Sequence, residues 1–131
     1  MAFQMIHMEI AYRLLQRIHW IASDADFLLG SVAPDAVHMN PDYEIGMKVR
    51  SHLFEGCGPW GDTRDYRRWN RNICQYLREN SKKAQSPEEL SFMQGVFVHC
   101  FTDYCNDLRI WRKLQAEYAS GVSLEQFSET H

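Results

Sequence analysis

Two residues in the C-terminal half of the chain, His99 and Asp103, are of types that bind metal ions and lie four positions apart. On an α-helix such residues lie one above the other, so both side chains share one face. Phe92, Val96 and Ile110 fall on the same stripe, which predicts that this face meets the core. Unpaired polar groups are costly there, so the pair needs either a mutual His–Asp hydrogen bond or a bound cation.

Further imidazole and carboxylate groups are scattered along the N-terminal half. His7 shares an apolar helical face with Leu14, Asp35 follows a proline in a turn, and His52 follows a charged stretch. The alternative interpretation of each histidine is a core residue whose hydrogen bonds are all made within the protein. The alternative for the aspartate is a residue that only forms a turn. Such ligands suit zinc and similar divalent ions. We expect one metal site formed by His7, Asp35, His52, His99 and Asp103. His38 is either a second-choice ligand or orienting group, or simply a surface histidine.

Helical patterns cover most of the chain that must position these groups. Apolar residues recur with a period near 3.6 over residues 3–21, 63–80 and about 87–119. A short apolar run, residues 27–32, follows Ser23 and Asp24, either of which can cap a helix.

The longest predicted helix has clear signals at both ends. Ser86, Pro87 and Glu89 form a capping box with proline at the first helical position. Gly121 ends the pattern, and residues 123–126 are typical of the start of another helix.

The segment from Val37 to Asp62 contains six prolines and glycines and few periodic positions, so we expect a long irregular connection between the second and third helices. Strand patterns are almost absent. We therefore predict an all-α fold, a compact multi-helix bundle in which residues 1–131 form a single helical domain that continues beyond residue 131.

Composition limits the class of protein. With 131 residues, 45% hydrophobic and 24% charged, the chain can form one globular core and is too apolar for a disordered protein. Its net charge of −3 lacks the overall basic character typical of nucleic-acid-binding domains. The four cysteines contain no C-x-x-C pair, and neither a signal peptide nor a transmembrane run is visible. We expect a cytoplasmic protein with reduced thiols.

The chemical groups also occur in a recognisable order. A histidine near the N-terminus is followed by GSVAPDAVH, by K-x-x-SH-x-F from Lys48 to Phe54, and by GVFVHCFTDYCNDLRIW. Over most of residues 7–111 this order resembles the zinc-dependent phospholipase C family in its broad bacterial sense. That family is related to the zinc phospholipases C and the single-strand-specific zinc nucleases, so the resemblance implies a zinc-dependent phosphoesterase.

The resemblance also implies particular ligands. Asp103 would bridge to a neighbouring ion that is also held by His7. Asn106 and Asp107, one turn further on, are candidates for groups that orient the ligands. The first zinc would be surrounded by Asp35, His52, His99 and Asp103.

Two departures from the family reduce the expected number of ions. The secreted enzymes use a processed N-terminal tryptophan as a ligand, whereas Met1 stands six residues ahead of His7 here. They also bind a third zinc through a histidine soon after the bridging aspartate, where this chain has Tyr104, Asn106, Asp107 and Arg109. We expect one or two ions, of zinc or another divalent metal.

Such a site would hydrolyse a phosphodiester or phosphate ester of a small molecule or a lipid through a zinc-activated water. Asp35 is the candidate for both ligand and catalytic base. The alternative is a catalytically reduced relative that acts as a metal-stabilised binding or regulatory module. Arg64, Arg68 and Arg71 on one helical face could bind phosphate or nucleic acid, although such faces are more commonly only solvated.

Overall fold

Six α-helices form the part of the chain described by this computed structural model, residues 4–120. In chain order they are α1 (Gln4–Arg17), α2 (Asp24–Val32), α3 (Ile45–Ser51), α4 (Tyr66–Lys83), α5 (Pro87–Asn106) and α6 (Arg112–Ala119). A 3₁₀ helix, Ala33–Met39, continues α2, and a π-helical turn, Asp107–Trp111, joins α5 to α6.

No strand occurs within residues 4–120, which confirms the predicted all-α fold. None of the helices in this range is both long and apolar enough to cross a bilayer. The helix start predicted at residues 123–126 lies outside the described residues.

Side-chain caps begin α2 and α5 where the sequence predicts. Ser23 Oγ accepts a hydrogen bond from the Asp26 backbone N–H at 3.3 Å, and Ser86 Oγ accepts one from the Glu89 N–H at 3.1 Å. The Glu89 carboxylate in turn accepts from the Gln85 N–H at 3.0 Å, one residue before the cap. These bonds satisfy N–H groups that the helix itself leaves without partners.

Helices α2 and α5 approach closely because each has a glycine at the contact. A β-carbon added to Gly95 would lie 2.1 Å from the carbonyl oxygen of Phe27, and one added to Gly30 would lie 2.1 Å from that of Phe92. Both obstacles are backbone atoms, so any larger residue would separate the helices. The close approach brings the backbone of Ser31 against α5.

The hydrophobic core lies between α4, α5 and the segment that follows α3. Trp69 packs edge-to-face on Phe54, with ring centroids 4.8 Å apart, and donates its indole N–H to the carbonyl of His52 at 3.0 Å. This bond fixes the end of α3 to the core. The buried members of the core are Phe54, Cys57, Trp69, Ile73, Val96 and Cys100.

The structure differs from the sequence pattern in two places. Residues 37–62 are not irregular throughout, because they contain α3, a seven-residue helix too short to establish a periodic pattern. Gly56 and Gly58 beyond it adopt the positive φ angles typical of turns. Ile110, predicted to face the core, is 61% exposed. Ile110 lies in the π-helical turn, where side chains on one face of the helix no longer recur every three to four residues.

Candidate metal centre

His99 and Asp103 lie on successive turns of α5 with only 0% and 4% of their surface exposed. The Nδ1 atom of His99 is 2.6 Å from the carbonyl oxygen of Ser31 on α2. A carbonyl can only accept, so this nitrogen carries the proton. In a neutral imidazole the opposite nitrogen, Nε2, then has a free lone pair and can act as a ligand.

His52, at the C-terminal end of α3, is fully buried and held in the same way. Its Nδ1 is 2.9 Å from Ser51 Oγ and 3.0 Å from the carbonyl oxygen of Lys48, which can both accept a proton carried on Nδ1. Its Nε2 lies 3.0 Å from Asp35 Oδ1 and 3.1 Å from His99 Nε2. The Nε2 atoms of both histidines thus point at one place, where each can present a lone pair to a cation when its ring is protonated on Nδ1 alone.

Asp35 reaches this place from the 3₁₀ helix that follows α2. Its other oxygen, Oδ2, is 3.7 Å from His99 Nε2. Its side chain is 14% exposed, whereas that of Asp103 is 5% exposed and that of His52 is fully buried. Asp35 is therefore the carboxylate that solvent or a substrate can reach most easily.

His7 is supplied by α1 and stacks on the ring of His99, with centroids 3.5 Å apart and an angle of 14° between the rings. Its Nε2 is 3.0 Å from Asp103 Oδ1 but outside hydrogen-bond geometry. Neither of its ring nitrogens has a hydrogen-bond partner among residues 4–120, although both are buried. Buried polar atoms of this kind are costly unless something binds them.

The donor atoms of these residues fit a divalent cation. Carboxylate oxygens and unprotonated imidazole nitrogens all present lone pairs, which repel one another when brought within about 3–4 Å unless a positive charge lies among them. The residues form two groups of three that share His99, one with His7 and Asp103 and the other with Asp35 and His52. Within each group the donor atoms lie within 4.8 Å of one another. We name the five residues of these groups the His/Asp cluster: His7, Asp35, His52, His99 and Asp103.

The cluster holds its groups in the protonation states that bind metal. Burial raises the pKa of Asp103, but its contacts with His7 and His99 outweigh burial and hold that pKa well below its usual range. Burial also raises the pKa of Asp35, but its contacts with His52, His99 and Lys48 together outweigh burial and lower that pKa. Burial lowers the pKa of His52 by more than the neighbouring carboxylates raise it. At neutral pH the carboxylates are therefore charged and His52 is neutral.

His38 contacts a lysine and lies outside the His/Asp cluster. Its Nε2 is 3.1 Å from the Nζ atom of Lys48, and its ring packs against Tyr43, with ring centroids 5.1 Å apart.

Lys48 is a site residue that was not predicted from the sequence. It is 9% exposed, and in the sequence it was noted only as the first residue of the K-x-x-SH pattern. Its position four residues before His52 on a helix was the available signal.

The other predicted residues are not among the potential metal ligands, although Asp107 lines one small cavity together with Asp103. Asp107 is buried and accepts a hydrogen bond from the Thr63 hydroxyl, while Asn106 is half-buried at the end of α5. The three predicted phosphate-binding arginines are exposed and belong to neither group of potential metal ligands; they are Arg64, Arg68 and Arg71.

The comparison with known families agrees with this geometry. The sequence profile of the family described as zinc dependent phospholipase C matches residues 6–105, a range that contains the whole His/Asp cluster. No curated protein and no solved structure matches the chain significantly. Because the matched range exceeds half of the 131 residues, the chain belongs to the zinc-dependent phospholipase C family.

Proposed function

We propose that the chain is a metal-dependent hydrolase that cleaves a phosphodiester or phosphate ester with a zinc-activated water. The orientation of Asp103 carries this proposal. Its Oδ1 faces His7 at 3.0 Å, whereas its Oδ2 is 3.4 Å from both His52 and His99. A carboxylate that faces two sets of ligands can join two neighbouring ions, and paired ions stabilise the attacking and leaving oxygens of phosphoester hydrolysis.

Each member of the cluster has an assigned role. His7 and Asp103 would hold the second ion, if two are bound. Zinc held in the cluster would lower the pKa of a bound water to about 7 and so supply the nucleophile at neutral pH. Asp35, the most exposed of the carboxylates, is assigned both to the first ion and to proton transfer. The first ion would be held by Asp35, His52, His99 and Asp103.

A cleft beside Asp35 supports the substrate class. Its volume of about 740 Å³ falls within the usual range for small-molecule sites. Its lining includes Leu29, Val32, Phe92 and Trp111, all apolar. These walls favour a phosphoester that carries an apolar group, either a small molecule or a lipid.

The direct test combines metal analysis with an assay on the purified chain. We expect one or two equivalents of zinc and measurable turnover of a chromogenic phosphodiester, bis(4-nitrophenyl) phosphate. Turnover should stop on dialysis against a chelator and return with zinc. A zinc-loaded protein that hydrolyses no phosphodiester or phosphate monoester with zinc, manganese or magnesium would contradict the proposed activity.

The second candidate function is a metal-stabilised binding or regulatory module. The observation in its favour is that the ligands come from four separate elements: α1, the 3₁₀ helix, the end of α3, and α5. An ion that joins four elements would stabilise the fold whether or not it also activates water. Zinc content without turnover would favour this module.

Both candidate functions predict that zinc stabilises the folded chain. At a free zinc concentration 100 times its dissociation constant, stability should rise by about 2.7 kcal/mol, because only the folded chain assembles the site. We expect the melting temperature to rise by several degrees on addition of zinc and to fall again with a chelator. The His38→Ala variant should retain this shift, and His99→Ala should lose it. An equal shift in both variants would place the ion elsewhere.

We also propose a cytoplasmic location, supported by the four cysteines. All four are free: Cys57, Cys74, Cys100 and Cys105. Reduced thiols are usual in the cytoplasm, whereas oxidising compartments favour disulfides.

A further inference from the structure

Lys48 is a buried cation with few partners, located at the edge of the His/Asp cluster. Only 9% of its surface is exposed. Its Nζ is 3.1 Å from His38 Nε2, 3.9 Å from Asp35 Oδ1 and 5.2 Å from the centre of the Trp60 ring. An ammonium group has three N–H donors, and among residues 4–120 only His38 lies within hydrogen-bond distance. At least one donor of this buried charge is therefore available to a ligand.

An ion pair with Asp35 does not explain why a lysine is buried here. The distance of 3.9 Å exceeds that of a hydrogen bond, and Asp35 already has a closer partner in His52 at 3.0 Å. A divalent ion held by Asp35 would also repel the ammonium group. Once Asp35 holds a cation, its carboxylate at 3.9 Å no longer balances the buried ammonium charge, so an anion is the partner that Lys48 then lacks.

The charges of the site identify the kind of anion. With one divalent ion bound, the carboxylates of Asp35 and Asp103 would neutralise it and leave the positive charge of Lys48 in excess; a second ion would add to that excess. A phosphodiester carries one negative charge. Lys48 and Asp35 line the same cleft, so a phosphoester that approaches Asp35 through the cleft also meets the ammonium group.

We propose that Lys48 binds a non-bridging oxygen of the substrate's phosphoryl group, and that His38 holds Lys48 in position by accepting one of its hydrogen bonds. This inference rests on the proposed phosphoesterase function and adds a substrate-binding residue to it. Hydrogen bonds between a charged donor and phosphate are among the strongest hydrogen bonds that side chains form.

The test measures the binding of inorganic phosphate by calorimetry, on zinc-loaded protein freed of excess zinc. We expect Lys48→Met to bind phosphate roughly 10- to 100-fold more weakly than the wild type, with unchanged zinc content. The KM for bis(4-nitrophenyl) phosphate should rise in parallel. Lys48→Arg should retain most of the phosphate affinity, and the exposed Lys82→Met on α4 should behave as the wild type. If Lys48→Met does not fold, Lys48→Gln provides the same comparison while retaining a donor for His38.

Three results would overturn the inference. Equal phosphate affinity in the wild type and the charge-removing variant would show that Lys48 does not contact the anion. A wild type that binds no phosphate would overturn the inference in the same way. Loss of zinc from the variant along with phosphate binding would show that Lys48 merely positions Asp35. By contrast, a zinc-loaded wild type that binds phosphate through Lys48 yet hydrolyses nothing would contradict the proposed function and leave this inference standing.

Discussion

Replacement of Asp103 by asparagine is expected to remove bound metal and phosphodiester turnover together. The carboxylate faces His7 with one oxygen and His52 with the other, and it is 4% exposed. Asparagine has nearly the same shape but no charge, so it cannot balance a divalent ion. Changes to groups that only orient metal ligands cost about 10–100-fold in affinity, and loss of a ligand should cost at least that much.

The measurement pairs zinc content with turnover in the same samples. Asp107→Asn is the matched control, because Asp107 is on the same helical stretch, is also buried, and pairs with Thr63 rather than with the cluster. We expect this control to retain its zinc and at least most of its turnover. If Asp103→Asn kept zinc and activity at wild-type levels, the assignment of Asp103 as the bridging ligand would be wrong.

Replacement of Gly95 by alanine is expected to destabilise the fold and weaken the metal centre, although alanine normally stabilises a helix by about 1 kcal/mol relative to glycine. The new β-carbon would lie 2.1 Å from the Phe27 carbonyl oxygen and 2.8 Å from the Ser31 nitrogen. Because both atoms belong to the backbone of α2, the helix must move as a whole. Overpacking of this kind costs about 1–3 kcal/mol. The movement would also displace the carbonyl of Ser31, which orients His99 at 2.6 Å.

Urea unfolding of the metal-free chain and zinc affinity of the folded chain check the two effects separately. Gly46→Ala on α3 is the matched control, since its β-carbon would meet only the flexible end of Arg50 at 3.3 Å. We expect the control to be as stable as the wild type or slightly more stable. A Gly95→Ala variant with wild-type stability would show that α2 and α5 tolerate a wider separation.

Local features of the sequence determined much of the fold. The cap at Ser23 and the capping box at Ser86 depend on residues three positions apart, and the structure contains both. The shared face of His99 and Asp103 follows from helical geometry alone. The error at Ile110 has the same local origin, because a π-helical turn changes the spacing on which the pattern depends.

The sequence by itself determined an all-α chain with the ligand types of a metal site, while tertiary structure decided how their atoms face one another. The protonated nitrogen of His99 is set by the carbonyl of Ser31, 68 residues away, and its Nε2 meets that of His52 across 47 residues. The two directions of the Asp103 carboxylate and the burial of Lys48 likewise depend on helices packed from distant parts of the chain. Periodicity reports only the side of a helix on which a residue lies, so it cannot specify contacts between helices.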